Sequence, residues 1–427
     1  MVVKAFLRAN IPFVFDRTET SDEKFISRAL KSNWEKFDMQ GNFLLKHINL
    51  SFANNVTCLL KNCNKTIQVP ITNFKDNTTT THDITISQVQ IYCFDTGIGF
   101  CTLHIPYDTE TEEKTITDVG SVLYNSATGA KTIVIDNGKE TFLNCIADEM
   151  IKELFTSPYK LYGTINDNSN KRNNIFSCVL FDSNNTEETN QNLLNQYCYQ
   201  LANTYDNRSD TFSFCEQDLC HQHDYIRWGF STRGVAAIAN LTGKSETDNF
   251  LLNAWFKSVS TNYFYLYLMV LHEKFATYHY LNIITDDSDA SDFEINQKLL
   301  IDFNFKYIFK IVSDEQFIQN TFLKFKVWTN ADDAYLELTE QLKKMFDNAE
   351  YNANKSIEKR NQKFNFISIL ISIVCAVSIV FETLNLFFSR GLSLGFNTIH
   401  STIFTGIIIL EILFIISSIF YILFDKK

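Results

Sequence analysis

Asn361, Asn365, Ser368, Ser372, Cys375 and Glu382 recur at intervals of four and three residues, with Ile379 the single aliphatic interruption of the series. An α-helix turns about 100° per residue, so these side chains share one face. The stretch that carries them is otherwise apolar, and in hydrocarbon a polar face must meet protein or water. Such a row would serve passage of ions: amides, hydroxyls and a thiol along a water-filled path, closed at one end by a carboxylate that favours cations. The competing reading is that the serines bond back to their own helix and help helices pack. Pore lining is the expectation carried forward.

Three other groups have chemically capable residue types. Tyr225, Arg227, Trp228 and Arg233 lie near a glycine-containing loop, and arginines beside aromatic rings can hold a base and phosphates; plain packing is the alternative. Cys215, Cys220, His221 and His223 crowd together, but their spacing fits no common zinc module, so no metal is assigned to them. His272-Glu273 lacks the second histidine four residues after the first that a metalloprotease helix needs. Gly97 and Gly99 lack the third glycine and the helix of a dinucleotide fingerprint, and read as a hairpin turn. With no nucleophile elbow, Walker loop or kinase set, catalysis is not expected.

The elements that must position the polar row come next. Residues 366–388 and 403–424 are each apolar over a length that spans hydrocarbon, which takes about 20 helical residues. Lys355, Lys359, Arg360 and Lys363 precede the first stretch and Lys426 and Lys427 follow the second, while the loop between holds only Arg390 and His400. The positive-inside rule then expects a multi-pass protein of the plasma (inner) membrane with both termini cytoplasmic. Residues 1–15 alternate instead of running apolar, so no secretory signal is expected there. Glu411, within the second stretch, needs a partner or water, whether between helices or at the pore.

The formal charge of −11 falls on the part before the apolar stretches, because Glu382, Glu411 and Asp425 cancel Arg390, Lys426 and Lys427. An acidic body does not suit nucleic acid. The ten cysteines, all but Cys375 in this body and so in a region expected to be reduced, read mostly as small buried apolar residues.

Within that body, alternation over 84–93, a glycine turn at 95–99 and alternation over 100–105 predict a hairpin, and 133–138 and 177–181 predict further strands. From residue 249 the pattern becomes helical, with helices expected over 249–284, 295–312 and 314–325, and Ser313 as a cap. Residues 332–363 read as one polar helix, with Leu338, Leu342, Met345 and Ala349 on one side, that continues into the membrane without a glycine or proline. The expected organisation is an α+β fold: a mainly β, mixed domain over 1–248, a helical region over 249–331, a stalk helix over 332–365 and a two-helix transmembrane hairpin over 366–424.

A large cytoplasmic body, a helix running unbroken into the first of two C-terminal spans, a short outer loop and the tripeptide Gly395-Phe396-Asn397 together resemble the CorA family of divalent-cation channels, whose signature is Gly-Met-Asn. The resemblance covers roughly the last 100 residues, and the preceding helices loosely. It implies a funnel-shaped homopentamer in the bilayer, the first span lining the pore, Asn397 meeting hydrated magnesium at the mouth and Gly395 allowing the turn. The chain departs from the family in Phe396, in the distance of the tripeptide beyond Glu382, and in a longer N-terminal part without correspondence. In its plan it is similar to the CorA-like membrane effectors encoded beside type III CRISPR systems, which implies a nucleotide second messenger acting on the soluble domain to disturb ion balance in antiviral defence. A magnesium transporter and a non-conducting membrane-anchored sensor are the alternatives.

Overall fold

The structure, a computed structural model, describes residues 2–20, 23–73, 78–107, 111–126, 133–162, 172–182, 187–205, 216–286 and 290–391, together with residues 406, 410 and 413. It divides into two units, Met1–Thr339 and Glu340–Lys427.

The first unit is built on one sheet of twelve strands. In chain order these are β1 (Val2–Val14), β2 (Glu35–Phe37), β3 (Val56–Asn73), β4 (Thr78–Phe94), β5 (Ile98–Tyr107), β6 (Val134–Asp136), β7 (Lys139–Thr141), β8 (Lys160–Leu161), β9 (Asn174–Phe181), β10 (Leu219–His223), β11 (Ile226–Phe230) and β12 (Gly234–Asn240). They lie side by side as β10-β11-β12-β9-β1-β5-β4-β3-β6-β7, with β2 on β3 and β8 on β1. Among the described residues only the β9–β12 pair is parallel. The expected hairpin is β4–β5, and its turn passes through Gly97 at φ 87, a conformation open to glycine at no steric cost. Asn137 (φ 50) and Gly138 (φ 76) make the two-residue turn between β6 and β7 that suits the right-handed twist of the strands.

Two helical layers cover this sheet. Arg17–Thr20 (α1), Glu23–Lys31 (α2), Lys46–Asn55 (α3), Glu113–Asn125 (α4), Leu143–Lys152 (α5) and Glu187–Ala202 (α6) all fall within the first 248 residues, where strand signals dominate the sequence. The second layer includes α3, whose Ser51 hydroxyl donates to the Lys306 carbonyl at 2.8 Å, and continues with Ser245–Asn249 (α7), a π-helical turn Phe250–Trp255, Phe256–Ser258 (α8), a second π-helical turn Val259–Tyr263, and then Phe264–Asp286 (α9). Ala290–Tyr307 (α10) and Gln316–Thr329 (α11) follow. The region 249–331 therefore packs within the same unit as the sheet.

Central position explains the burial of β1, which is buried at almost every residue. Leu7, Ala9, Ile11 and Phe13 join one hydrophobic cluster with Ile116 and Val119 of α4 and Ile146 of α5. The alternate residues face the other layer: the Phe6 ring meets Phe256 at 5.3 Å, and the Arg8 guanidinium reaches the carbonyl of Ser260 at 2.8 Å. Each large apolar side chain buried in this way contributes about 1.5–3 kcal/mol. The aromatic run of α9 is core, as expected, with Phe264, Tyr267 and Leu268 all buried.

Asn330, left-handed at φ 59, ends α11, and α12 begins one residue later and runs from Ala331 to Gly391 without interruption. Its 61 residues extend for about 90 Å at 1.5 Å each. Leu338 of the expected stalk stripe is fully buried, whereas Leu342 and Met345 are half-buried. Ser313 does not cap α11 directly; its hydroxyl accepts from the Glu315 amide at 3.2 Å, in the turn just before the helix.

Candidate functional site

In the second unit, α12 carries a segment, Asn354–Ile379, long and apolar enough to cross a membrane, with mean hydropathy 1.7 and no residue of its apolar window buried. This apolar helix associates the chain with membrane in the simplest reading of its composition. Asn361, Asn365, Ser368, Ser372, Cys375, Ile379 and Glu382 are all exposed on it. Ile367, Leu370, Ile371, Val374 and Ser378 are half-buried instead, on a face about 120° away at 100° per residue. From Asn361 to Glu382 the polar row extends about 32 Å, close to the thickness of a hydrocarbon core. Asn365, Ser368 and Ser372 line a shallow groove together with Ile369 and Ile373.

The serine chemistry contains both readings made from sequence. The Ser372 hydroxyl donates to the Ser368 carbonyl at 2.8 Å, so its proton is spent within the helix. A hydroxyl so engaged keeps its lone pairs, and what it offers outward is an acceptor suited to a cation or to its hydration water. The tripeptide Gly395-Phe396-Asn397 lies outside the described residues, as do Glu411 and all but Gly406, Leu410 and Leu413 of the second apolar stretch.

Tyr225, Arg227, Trp228 and Arg233 do not converge. Arg227 and Trp228 are neighbours on β11, and strand alternation sends them to opposite faces of the sheet. Arg227, fully buried, donates to Asn195 Oδ1 of α6 at 2.9 Å and to the His223 carbonyl at 2.7 Å. Trp228 packs on the other side against Tyr263 at 4.7 Å, and its Nε1 donates to Gln222 Oε1 at 3.3 Å. Tyr225 stacks on His223. Arg233 lies over Tyr124 and Tyr205 and donates to the Asn203 carbonyl just past α6, where a cation complements the helix C-terminus. Packing accounts for all four.

Cys215 lies outside the described residues, and Cys220, His221 and His223 follow one another along β10. Among the described residues no three His, Cys, Asp or Glu side chains gather as metal ligands would. His272 is buried with its ring stacked 3.9 Å from Phe94, and its Nε2 lies 2.8 Å from Thr96 Oγ1 at the β4–β5 turn. Burial holds its pKa well below the ordinary 6.5, so the ring is neutral and structural.

The feature least visible in the sequence is at the root of α12. Lys326, near the end of α11, lies 3.0 Å from Glu273 Oε1 of α9 and 2.8 Å from Asp332 Oδ1 in the first turn of α12. Glu273 is 1% exposed and neither of its oxygens accepts a well-directed hydrogen bond, so the contact with Lys326 is chiefly Coulombic. Burial pushes the Glu273 carboxyl up to about 7, against the pull of Lys326. Tyr335 of α12 donates to Asn304 Oδ1 of α10 at 2.6 Å. Charged residues 273, 326 and 332 are far apart in the chain, and no local pattern ties them together. The helix bearing the polar row is thus fastened by ionic and hydrogen-bonding contacts to the layer that covers the sheet.

No protein-family model, curated protein or solved structure matches the chain.

Proposed function

We propose that the chain is the subunit of a homo-oligomeric membrane channel in which α12 lines the pore with Asn361, Asn365, Ser368, Ser372, Cys375 and Glu382. The observation that carries this reading is the exposed polar row, as long as a hydrocarbon core, on a membrane-length helix. A single helix cannot enclose water, so the row requires copies of the chain around an axis, and the resemblance to CorA channels supports five. The second apolar stretch would then face lipid, with both termini and the sheet domain in the cytoplasm. Glu382 supplies a carboxylate ring that favours cations. The large sheet domain at the root of this helix supports gating by a ligand, and the plan shared with type III CRISPR effectors supports a nucleotide second messenger and a role in antiviral defence.

Ion flux from liposomes containing the purified chain tests this. Ser372→Leu removes a polar group from the row and should cut flux by at least about tenfold, because a dry leucine ring raises the barrier to a hydrated ion. Ile371→Leu, on the half-buried face away from the row, should leave flux unchanged. Equal tolerance at the two positions refutes pore lining. Flux through wild type that rescues a magnesium-starved strain without any added ligand would favour the transporter reading, and no flux under any condition would favour an anchored sensor.

A further inference from the structure

Arg8 occupies the middle strand of the sheet with only 6% of its surface exposed. Its Nε donates to His104 Nδ1 at 3.3 Å and its Nη1 to the Ser260 carbonyl at 2.8 Å, and Nη2 makes no hydrogen bond. Among the described residues no carboxylate lies within ion-pair reach of the guanidinium. Its surroundings are rings and neutral polar groups. Phe264 lies 4.2 Å and Phe6 5.2 Å from it, and the weakly acidic Tyr92, Tyr265 and Cys178 are the groups that favour its charge against burial. Burial, with Arg8 beside it, holds the His104 pKa down to about 3, so that ring is neutral and contributes no charge.

A buried cation without a counter-ion is costly, and an incoming anion would offset that cost. The surroundings add to this argument. Lys4, exposed on the same face of β1, places its Nζ 4.6 Å over Phe256, which in turn meets Phe6 edge-on. Gln90 and His104, on β4 and β5, are only half-buried. The carbonyl that holds Nη1 belongs to one of two π-helical turns separated by three residues, a rare backbone form that concentrates at functional sites.

We propose that Arg8, with Lys4, forms the binding site for a phosphate-bearing small molecule, between β1 and the π-helical turn Val259–Tyr263. The guanidinium fork with its free Nη2 edge matches a phosphate group bidentately, and Lys4 supplies a second point charge for a further phosphate. This site deepens the ligand-gated reading, on which its regulatory meaning rests: Ser260 is continuous with α9, α9 carries Glu273, and Glu273 meets Lys326, which in turn meets Asp332 at the root of α12. The simpler explanation is that Arg8 only caps a carbonyl displaced by the π-turn, in which case no anion competes for it.

Equilibrium dialysis of the full chain in detergent micelles distinguishes these, with ATP, inorganic pyrophosphate and succinate as probes. ATP and pyrophosphate should bind saturably, with succinate at least about tenfold weaker, since a dicarboxylate lacks the three-oxygen face of a phosphate. Lys4→Gln, at an exposed position that does not disturb the fold, should weaken ATP about tenfold, and Arg8→Met should weaken it more. If Arg8→Met fails to fold, Lys4→Gln and the succinate comparison decide. No saturable binding of ATP or pyrophosphate to wild type, equal binding of succinate, or unchanged binding in Lys4→Gln overturns the site. Because binding is read without flux, loss of flux with binding intact counts against the channel alone, and flux without binding counts against the site alone.

Discussion

Lys326→Met provides a test of how the root of α12 is held, because its cost should depend on pH in a way that packing loss cannot imitate. In wild type the folded Glu273 carboxyl titrates at about 7, above its ordinary 4.5. A carboxyl whose folded pKa is raised stabilises the fold most at low pH, and this contribution is lost as pH rises from 4.5 through 7, by about 3 kcal/mol in all at 1.36 kcal/mol per unit. Removing Lys326 takes away the attraction that limits the rise, and carboxyls buried without a partner reach about 8–9. Below pH 7 both proteins carry a neutral Glu273, and the difference between them should be small. Above pH 7 only wild type can ionise the group against a partner. The variant should then fall behind by about 1.4 kcal/mol per pH unit, levelling off between about pH 8 and 9 at about 1.4–2.7 kcal/mol. That plateau lies below the cost of orphaning one member of a buried pair, about 3–5 kcal/mol, because the carboxyl escapes part of the cost by staying protonated. Asp332 adds little, since its side chain is 48% exposed and the interaction is screened. Denaturation of the full chain in micelles at pH 6, 7, 8 and 9, followed by tryptophan fluorescence, measures this, because Trp34, Trp228, Trp255 and Trp328 all lie in the first unit. A difference between the two proteins that does not change with pH would refute the ionic account.

Two further outcomes follow from the same contacts. Trp228→Ala empties a fully buried site against Tyr263 and Phe325 and should cost about 3–5 kcal/mol in the same denaturation assay, while leaving ATP affinity within about twofold, as packing rather than ligand contact predicts. Glu382→Gln keeps the shape of the row and removes its only carboxylate, so reversal potentials across a salt gradient should move toward the unselective value; an unchanged cation preference would exclude Glu382 from the path.

The fold was legible where local chemistry decides local structure. The β4–β5 hairpin and the helical run of α9 could be read directly, because glycine placement and alternation act over a few residues, whereas Asn137 and Gly138, expected to end a strand, form the turn between β6 and β7. Helices α4 and α6 were hidden for a physical reason: Asn, Thr, Tyr and Cys in α6, and Thr, Val and Gly in α4, are weak helix formers, and burial against the sheet outweighs that preference. The near-complete burial of β1 follows from its central place between two helical layers, which alternation does not reveal. At the sites, the row on α12 needed only helical periodicity and was read residue by residue. Proximity in sequence misled for Tyr225, Arg227, Trp228 and Arg233, since a strand sends neighbours to opposite faces. The Glu273–Lys326–Asp332 contacts and the Arg8 environment depend on residues dozens to hundreds of positions apart, and single-sequence patterns do not encode such pairs.

The central claim, that water reaches the polar face of α12 within the membrane, can be put to a native side chain. Cys375 is an exposed thiol on that face, while Cys58, Cys93, Cys101, Cys178 and Cys198 are buried in the first unit. A charged, water-soluble thiosulfonate added to liposomes containing the purified chain should modify Cys375 and block ion flux, and Cys375→Ser should conduct and resist the block. Flux that persists in wild type while Cys375 stays unmodified in the bilayer would contradict the account.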